Sequence, residues 1–233
     1  MSKQLPFDIF VNRKYAKWTA RAKQWNVRLA DAVGVSPIEE MIFFWGGYAR
    51  MGKEELGRSL EVLAWSDGGD SESGTGKTTP SLHWDRETAD EHAMVKFLRA
   101  TVLRQLGKVE IAQKMLRTQI LDQYSPDEFK NIKNADTWLL PVARYEMAVC
   151  YWLRTEEGRR SAGSAGIGLA GEIQGAAGTD DLGKKLSNQE ALKLCSQWLE
   201  KAGASSETWE LEQRFSSRIA TGRDTLKGLG IGS

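Results

Sequence analysis

Two stretches have residue types and spacings that could handle phosphate. Ser71 to Thr78, SESGTGKT, carries the Gly-Lys-Thr ending of a loop that wraps phosphate in backbone N–H groups. That chemistry needs a strand before the loop and a helix after it, so that N-terminal amides meet the anion. Here Ser71 replaces the first glycine, no strand pattern precedes it, and Pro80 interrupts the turn. Gly166-Ile-Gly168-Leu-Ala-Gly171 matches the dinucleotide-binding spacing in full, and Glu190 stands 19 residues further on, where an acid would meet a ribose. Arg159, Arg160 and Ser161 occupy the place of the required strand, and Gly175 and Gly178 break the required helix. Both matches arise from glycine-dense tracts, so no nucleotide and no other cofactor is expected.

Nucleophiles and bases are equally scattered. Cys150 and Cys195 lie 45 positions apart without a CxxC, which offers neither a zinc site nor a disulfide framework. Cys195 falls on the apolar side of a helical pattern and reads as an inert buried thiol. His83 lies in a Gly/Ser/Thr-rich stretch and His92 at a helix start, and no acid, base and nucleophile assemble around either. The expectation is a non-enzyme with no catalytic residue, no metal and no small-molecule substrate. With 32 basic against 31 acidic side chains, the chain has no global pull toward nucleic acid. The opening MSKQLPFDIFVNRKY lacks an apolar signal core, and no uncharged apolar run approaches the roughly 18 to 20 residues of a spanning helix. A cytosolic or peripheral protein is expected.

The elements around these residues read as helices. Glu87 to Leu121 is the clearest: Met94, Phe97, Leu98, Thr101 and Val102 recur at three-and-four spacing, and after Gly107 the pattern restarts with Val109, Ala112, Leu116 and Ile120. Small residues at 100, 107 and 112 let two helices approach, as in a tetratricopeptide-type hairpin. Ser36-Pro37-Ile38-Glu39 opens a second hairpin over 36–65 with a capping box and Pro at the first helical position. A third spans 136–199, its second arm opened by the capping box Ser187 to Glu190 and delayed by a glycine-rich insertion at 155–186. A flexible loop is expected over 66–86, and a closing helix over 206–229. The whole predicts one all-α domain over 1–233, an α-α superhelix of antiparallel helical hairpins, a tetratricopeptide-like α-solenoid with two Gly/Ser-rich loops.

Residues 8–33 predict one long amphipathic helix with the stripe Val11, Tyr15, Trp18, Ala22, Trp25, Leu29 and Ala32. Six basic side chains against two acidic ones occupy its other faces. Two readings compete. In one, the stripe packs on neighbouring helices and the basic faces are solvated; in the other, Lys14, Lys17, Trp18, Arg21 and Trp25 lie on an anionic lipid surface.

Four stretches carry a family resemblance: LPFDIFVNRKYAKW, NVRLADAVGVSPIEEMIFFWGGYARM, WLLPVARYEMAVCYWL and WELEQRFSSRI. Together they resemble the C-terminal region of the fungal inclusion-body clearance proteins, similar to animal tetratricopeptide repeat protein 39. The resemblance implies a non-enzymatic interaction protein of the cytoplasm and nucleus, associated with lipid-droplet proteins and the clearance of misfolded aggregates. It places peripheral contact at lipid droplets or the mitochondrial outer surface. A concave surface lined by the first helix of each hairpin would receive other proteins, and the repeat register puts Glu39, Arg50, Arg104 and Gln105 near it.

Overall fold

The computed structural model describes residues 6–34, 37–67, 84–164, 186–204 and 212–231. The phosphate-loop and GxGxxG look-alikes, His83, Trp209 and most of both expected loops lie outside the described residues. Helix α1 spans Pro6–Trp25, α2 Leu29–Ala32, α3 Pro37–Phe44 and α4 Lys53–Asp67. Helix α5 spans Ala89–Gln105, α6 Val109–Leu116, α7 Pro126–Lys130 and α8 Leu139–Leu153. Helices α9 (Glu156–Ser164), α10 (Asn188–Gly203) and α11 (Glu212–Gly228) complete the order. Among the described residues there is no strand, and no helix is long and apolar enough to cross a membrane. The fold is all-α and tetratricopeptide-like. Helix α5 packs between α4 and α6, α8 packs on α5, α6 and α10, and α11 covers α10.

Local chemistry sets the helix ends. Thr88 and Glu91 form a capping box at the start of α5, and Gly107 takes φ 82° at its end, the left-handed conformation that turns the chain into α6. Ser125 with Glu128 and Ser187 with Glu190 cap α7 and α10 in the same way. Pro141 falls in the first turn of α8, where a missing N–H costs no intrahelical bond.

Three boundaries differ from expectation. The helix expected over 8–33 breaks after Trp25, because Asn26 adopts φ 55° and Val27 N–H bonds back to the Ala22 carbonyl at 3.1 Å, the left-handed cap that Asn tolerates. The first arm of the first hairpin stops at Phe44, followed by a single tight turn over Gly47–Arg50. Residues 156–164, expected to be linker, form α9. Gly158 lets α9 close onto α8, since a Cβ there would lie 2.0 Å from the Trp152 carbonyl oxygen. Thr155 Oγ1 accepts the Gly158 N–H at 2.9 Å and caps the turn.

The core is threaded by aromatic rings. Phe10 of α1 meets Phe44 edge-on at 5.0 Å, and Phe44 and Phe97 both meet Trp138, at 4.9 and 5.7 Å. Phe43 connects Phe97 of α5 to Phe215 of α11. Trp138, fully buried at the head of α8, is the ring shared by α3 and α5, yet its indole N–H has no hydrogen-bond partner. Trp138→Ala should therefore lose about 3–5 kcal/mol. Trp138→Phe, which deletes the orphaned donor and keeps most of the ring contact, should lose less than half of that. Urea midpoints of the two variants check the order.

Candidate functional site

The most heavily charged place in the molecule lies inside it. Lys14, Lys17 and Arg21 are only 8%, 7% and 6% exposed. Their spacing of three and four puts them on one face of α1 with Phe10. Lys14 Nζ sits 2.6 Å from Asp136 and 2.9 Å from Glu40, so α1 is tied at once to α3 and to the head of α8. Lys17 Nζ reaches Asp90 at 2.8 Å, and Arg21 pairs with Glu91, both acids lying in the first turn of α5. The carboxylates are held in turn: Thr88 Oγ1 donates to Asp90 at 2.5 Å, and Asp136 N–H donates to the same side chain at 3.0 Å.

Three cations on α1 face five carboxylates, Glu87 being the fifth. Burial favours the neutral acid at every one of them, and the cations decide which resist. Asp90 and Glu91 stay below their ordinary range because Lys17, with Thr88 at one and Arg21 at the other, outweighs desolvation. Burial raises Asp136 and lifts Glu40 to about 7, in each case against the pull of Lys14. Glu87 rises to about 8 through burial and then the charge of Glu91. The excess of acid over base is thus relieved by protons. Burial lowers Lys14 too, but Asp136 and Glu40 more than restore it.

The stripe expected to face inward is split: Leu29 is exposed, Ala22 and Trp25 are half-buried, and Ala32 is fully buried. Val11 and Tyr15 are exposed, 44% and 56%, and Trp18 is half-buried. Trp25 lies between guanidinium groups, 5.1 Å from Arg21 and 4.3 Å from Arg86. Relative to expectation, α1 is rotated by one residue, about 100°. Neither a solvated basic face nor one laid on lipid describes Lys14, Lys17 and Arg21, whose partners are internal acids. Position alone could have flagged them, since 10, 14, 17 and 21 repeat with the same period as the apolar stripe.

The four residues expected at a concave surface do not form one site. Glu39 is buried and accepts the Tyr48 hydroxyl at 2.6 Å. Arg104 is an interior tie, 2.7 Å from Glu146 of α8. Gln105 is half-buried at the end of α5, and Arg50 is exposed as the last residue of the tight turn. Both thiols are buried and pushed up to about 12 by desolvation, too high to supply thiolate at neutral pH.

Helices α8, α10 and α11 border an open groove of about 470 Å³. Val149, Trp152, Leu199 and Leu226 give it an apolar floor, while Ser217, Arg218, Thr221 and Thr225 line the α11 side. The family Iml2/Tetratricopeptide repeat protein 39 matches residues 1–106, the part that holds α1 and the first turn of α5. The inclusion body clearance protein iml2 of Aspergillus niger is 40% identical over 227 residues, 97% of this chain and 30% of that protein. The chain is thus similar to the Iml2/tetratricopeptide repeat protein 39 family. The Aspergillus clavatus protein of the same name is 42% identical over 230 residues, covering 97% of this chain and 29% of the relative. The one from Yarrowia lipolytica is 28% identical over 235 residues, 98% of this chain and 27% of its own length. The chain thus spans less than a third of the curated relatives it matches. No solved structure matches it.

Two predictions follow from the charges. Lys17→Met removes the cation paired with buried Asp90 and should cost about 3–5 kcal/mol, whereas Arg28→Ala, which removes the exposed pair with Asp31, should leave the midpoint nearly unchanged. Urea titration at neutral pH measures both. A carboxyl raised on folding binds its proton more tightly in the native state, so stability falls as pH rises from the ordinary carboxyl range through the folded value. Glu40 and Glu87 therefore predict declining stability between pH 5 and about 8, while Asp90 and Glu91 predict loss in acid, below the ordinary carboxyl range. Glu87→Gln should flatten the alkaline decline and gain at least about 1.4 kcal/mol at pH 8, one pKa unit's worth.

Proposed function

We propose that this chain is a non-enzymatic docking segment of tetratricopeptide type that binds other proteins in the clearance of inclusion bodies. The observation that carries the reading is the open apolar groove between α8, α10 and α11. Interior acids and bases elsewhere are engaged with one another, as in Lys14–Asp136, Lys17–Asp90 and Arg104–Glu146, and both thiols are held neutral. Such a molecule acts through its surface. The clearance role draws on the names of the fungal relatives, and lipid-droplet proteins in the cytoplasm and nucleus are the partners proposed.

Thr221→Trp tests the reading, because Thr221 is exposed on the groove's edge and a large ring there fills the space without touching the core. In a fungal strain lacking its own family member, the wild-type protein should restore removal of a fluorescent aggregation-prone reporter. The variant, matched for expression and for far-ultraviolet circular dichroism, should slow that removal several-fold. Equal clearance by both would overturn the proposal.

A further inference from the structure

The groove has three chemically different parts, and together they narrow the ligand. The floor is apolar. Along α11, Ser217, Thr221 and Thr225 stand at intervals of four and form one row on its exposed side. Thr221 Oγ1 donates to the Ser217 carbonyl and Thr225 Oγ1 to the Thr221 carbonyl, each at 2.9 Å, so both hydroxyls keep only acceptor capacity toward the groove. A ligand that satisfies Thr221 and Thr225 must bring hydrogen-bond donors.

The third part is a cation. Arg218 is exposed, its guanidinium 5.3 Å from the Phe215 ring, and among the described residues no carboxylate pairs with it. Arg214, one turn earlier on α11, adds a second positive charge against Trp45 at 5.6 Å. The neighbouring Arg223 is different, since Glu200 neutralises it at 2.8 Å. An unpaired guanidinium beside a low-dielectric surface favours an anionic group, and its planar fork suits a carboxylate.

We infer that the groove binds a peptide segment of a partner protein that carries apolar anchors and an acidic side chain, the acid meeting Arg218. Main-chain N–H groups or amide side chains supply the donors that the α11 hydroxyls lack, and apolar side chains cover Val149, Trp152 and Leu226. A fatty acid would satisfy the floor and the cation and leave the hydroxyl row without donors. A volume of about 470 Å³ lies within the usual range for bound ligands and accommodates a few side chains. This inference rests on the docking reading above and specifies its partner.

Selection of randomised dodecapeptides displayed on phage against the purified chain tests it. The expected winners are apolar peptides with at least one Asp or Glu, bound at least tenfold more weakly by Thr221→Trp and by Arg218→Glu. Replacing the acid by Lys should restore binding to Arg218→Glu, a reversal that a misfolded variant cannot produce. Winners without an acid, winners that bind Thr221→Trp as well as wild type, or no winners at all would overturn the inference. So would palmitate that binds wild type and not Thr221→Trp. If Thr221→Trp slows inclusion clearance and yet no acidic peptide is selected, the docking reading stands and this partner chemistry falls.

Discussion

The seating of α1 is the constraint on which the first half of the molecule depends. A helix that buries Lys14, Lys17 and Arg21 can rest in one rotation only, because turning it by a residue would strand their acids in the interior. Glu40 belongs to α3, Asp90 and Glu91 to α5, and Asp136 to the segment leading into α8. One helix face therefore sets the mutual positions of three other elements. Desolvation offsets much of the attraction in such a cluster, so its main effect is to specify the arrangement; net stabilisation is secondary. Net stability falls to the aromatic run that continues from the same face, from Phe10 through Phe44 to Trp138.

Beyond the ion cluster, the structure separates inside from outside chemistry. The polar groups within are mostly structural: Arg104 ties α5 to α8, and Arg154 reaches Gln113 at 2.6 Å and Glu110 at 2.9 Å to tie α8 to α6. These cross-links hold α8 as the common wall of two packing layers, one with α5 and α6 and the other with α10. The groove forms on the second layer, where α11 leaves the edge of α8 uncovered. Its apolar floor is thus continuous with the core.

Much of the secondary structure was legible because its signals are local. The capping box at Ser187, the helical period of 94–102 and the turn at Gly107 are each set by a few neighbouring residues. Two of the boundaries that differ from expectation were not legible in this way. Asn26 takes a left-handed turn that its type allows but does not demand, closed by the Val27–Ala22 hydrogen bond, and Gly158 is needed only because α9 folds down on Trp152. A glycine in a glycine-rich stretch looks the same whether it permits a close approach or merely a bend.

The sequence by itself determined that this is an all-α protein of helical hairpins, with the Cys195 thiol on a buried face. Hydrophobic period and capping residues act over short ranges and leave readable marks. Only the tertiary structure decided which face of α1 points inward. Two stripes of the same period compete there, and the one that carries Val11 and Tyr15 is turned outward. Periodicity reports that a face is special and is silent about its partner. Four acids from three distant segments form ion pairs with Lys14, Lys17 and Arg21, and no feature of any one segment announces that meeting.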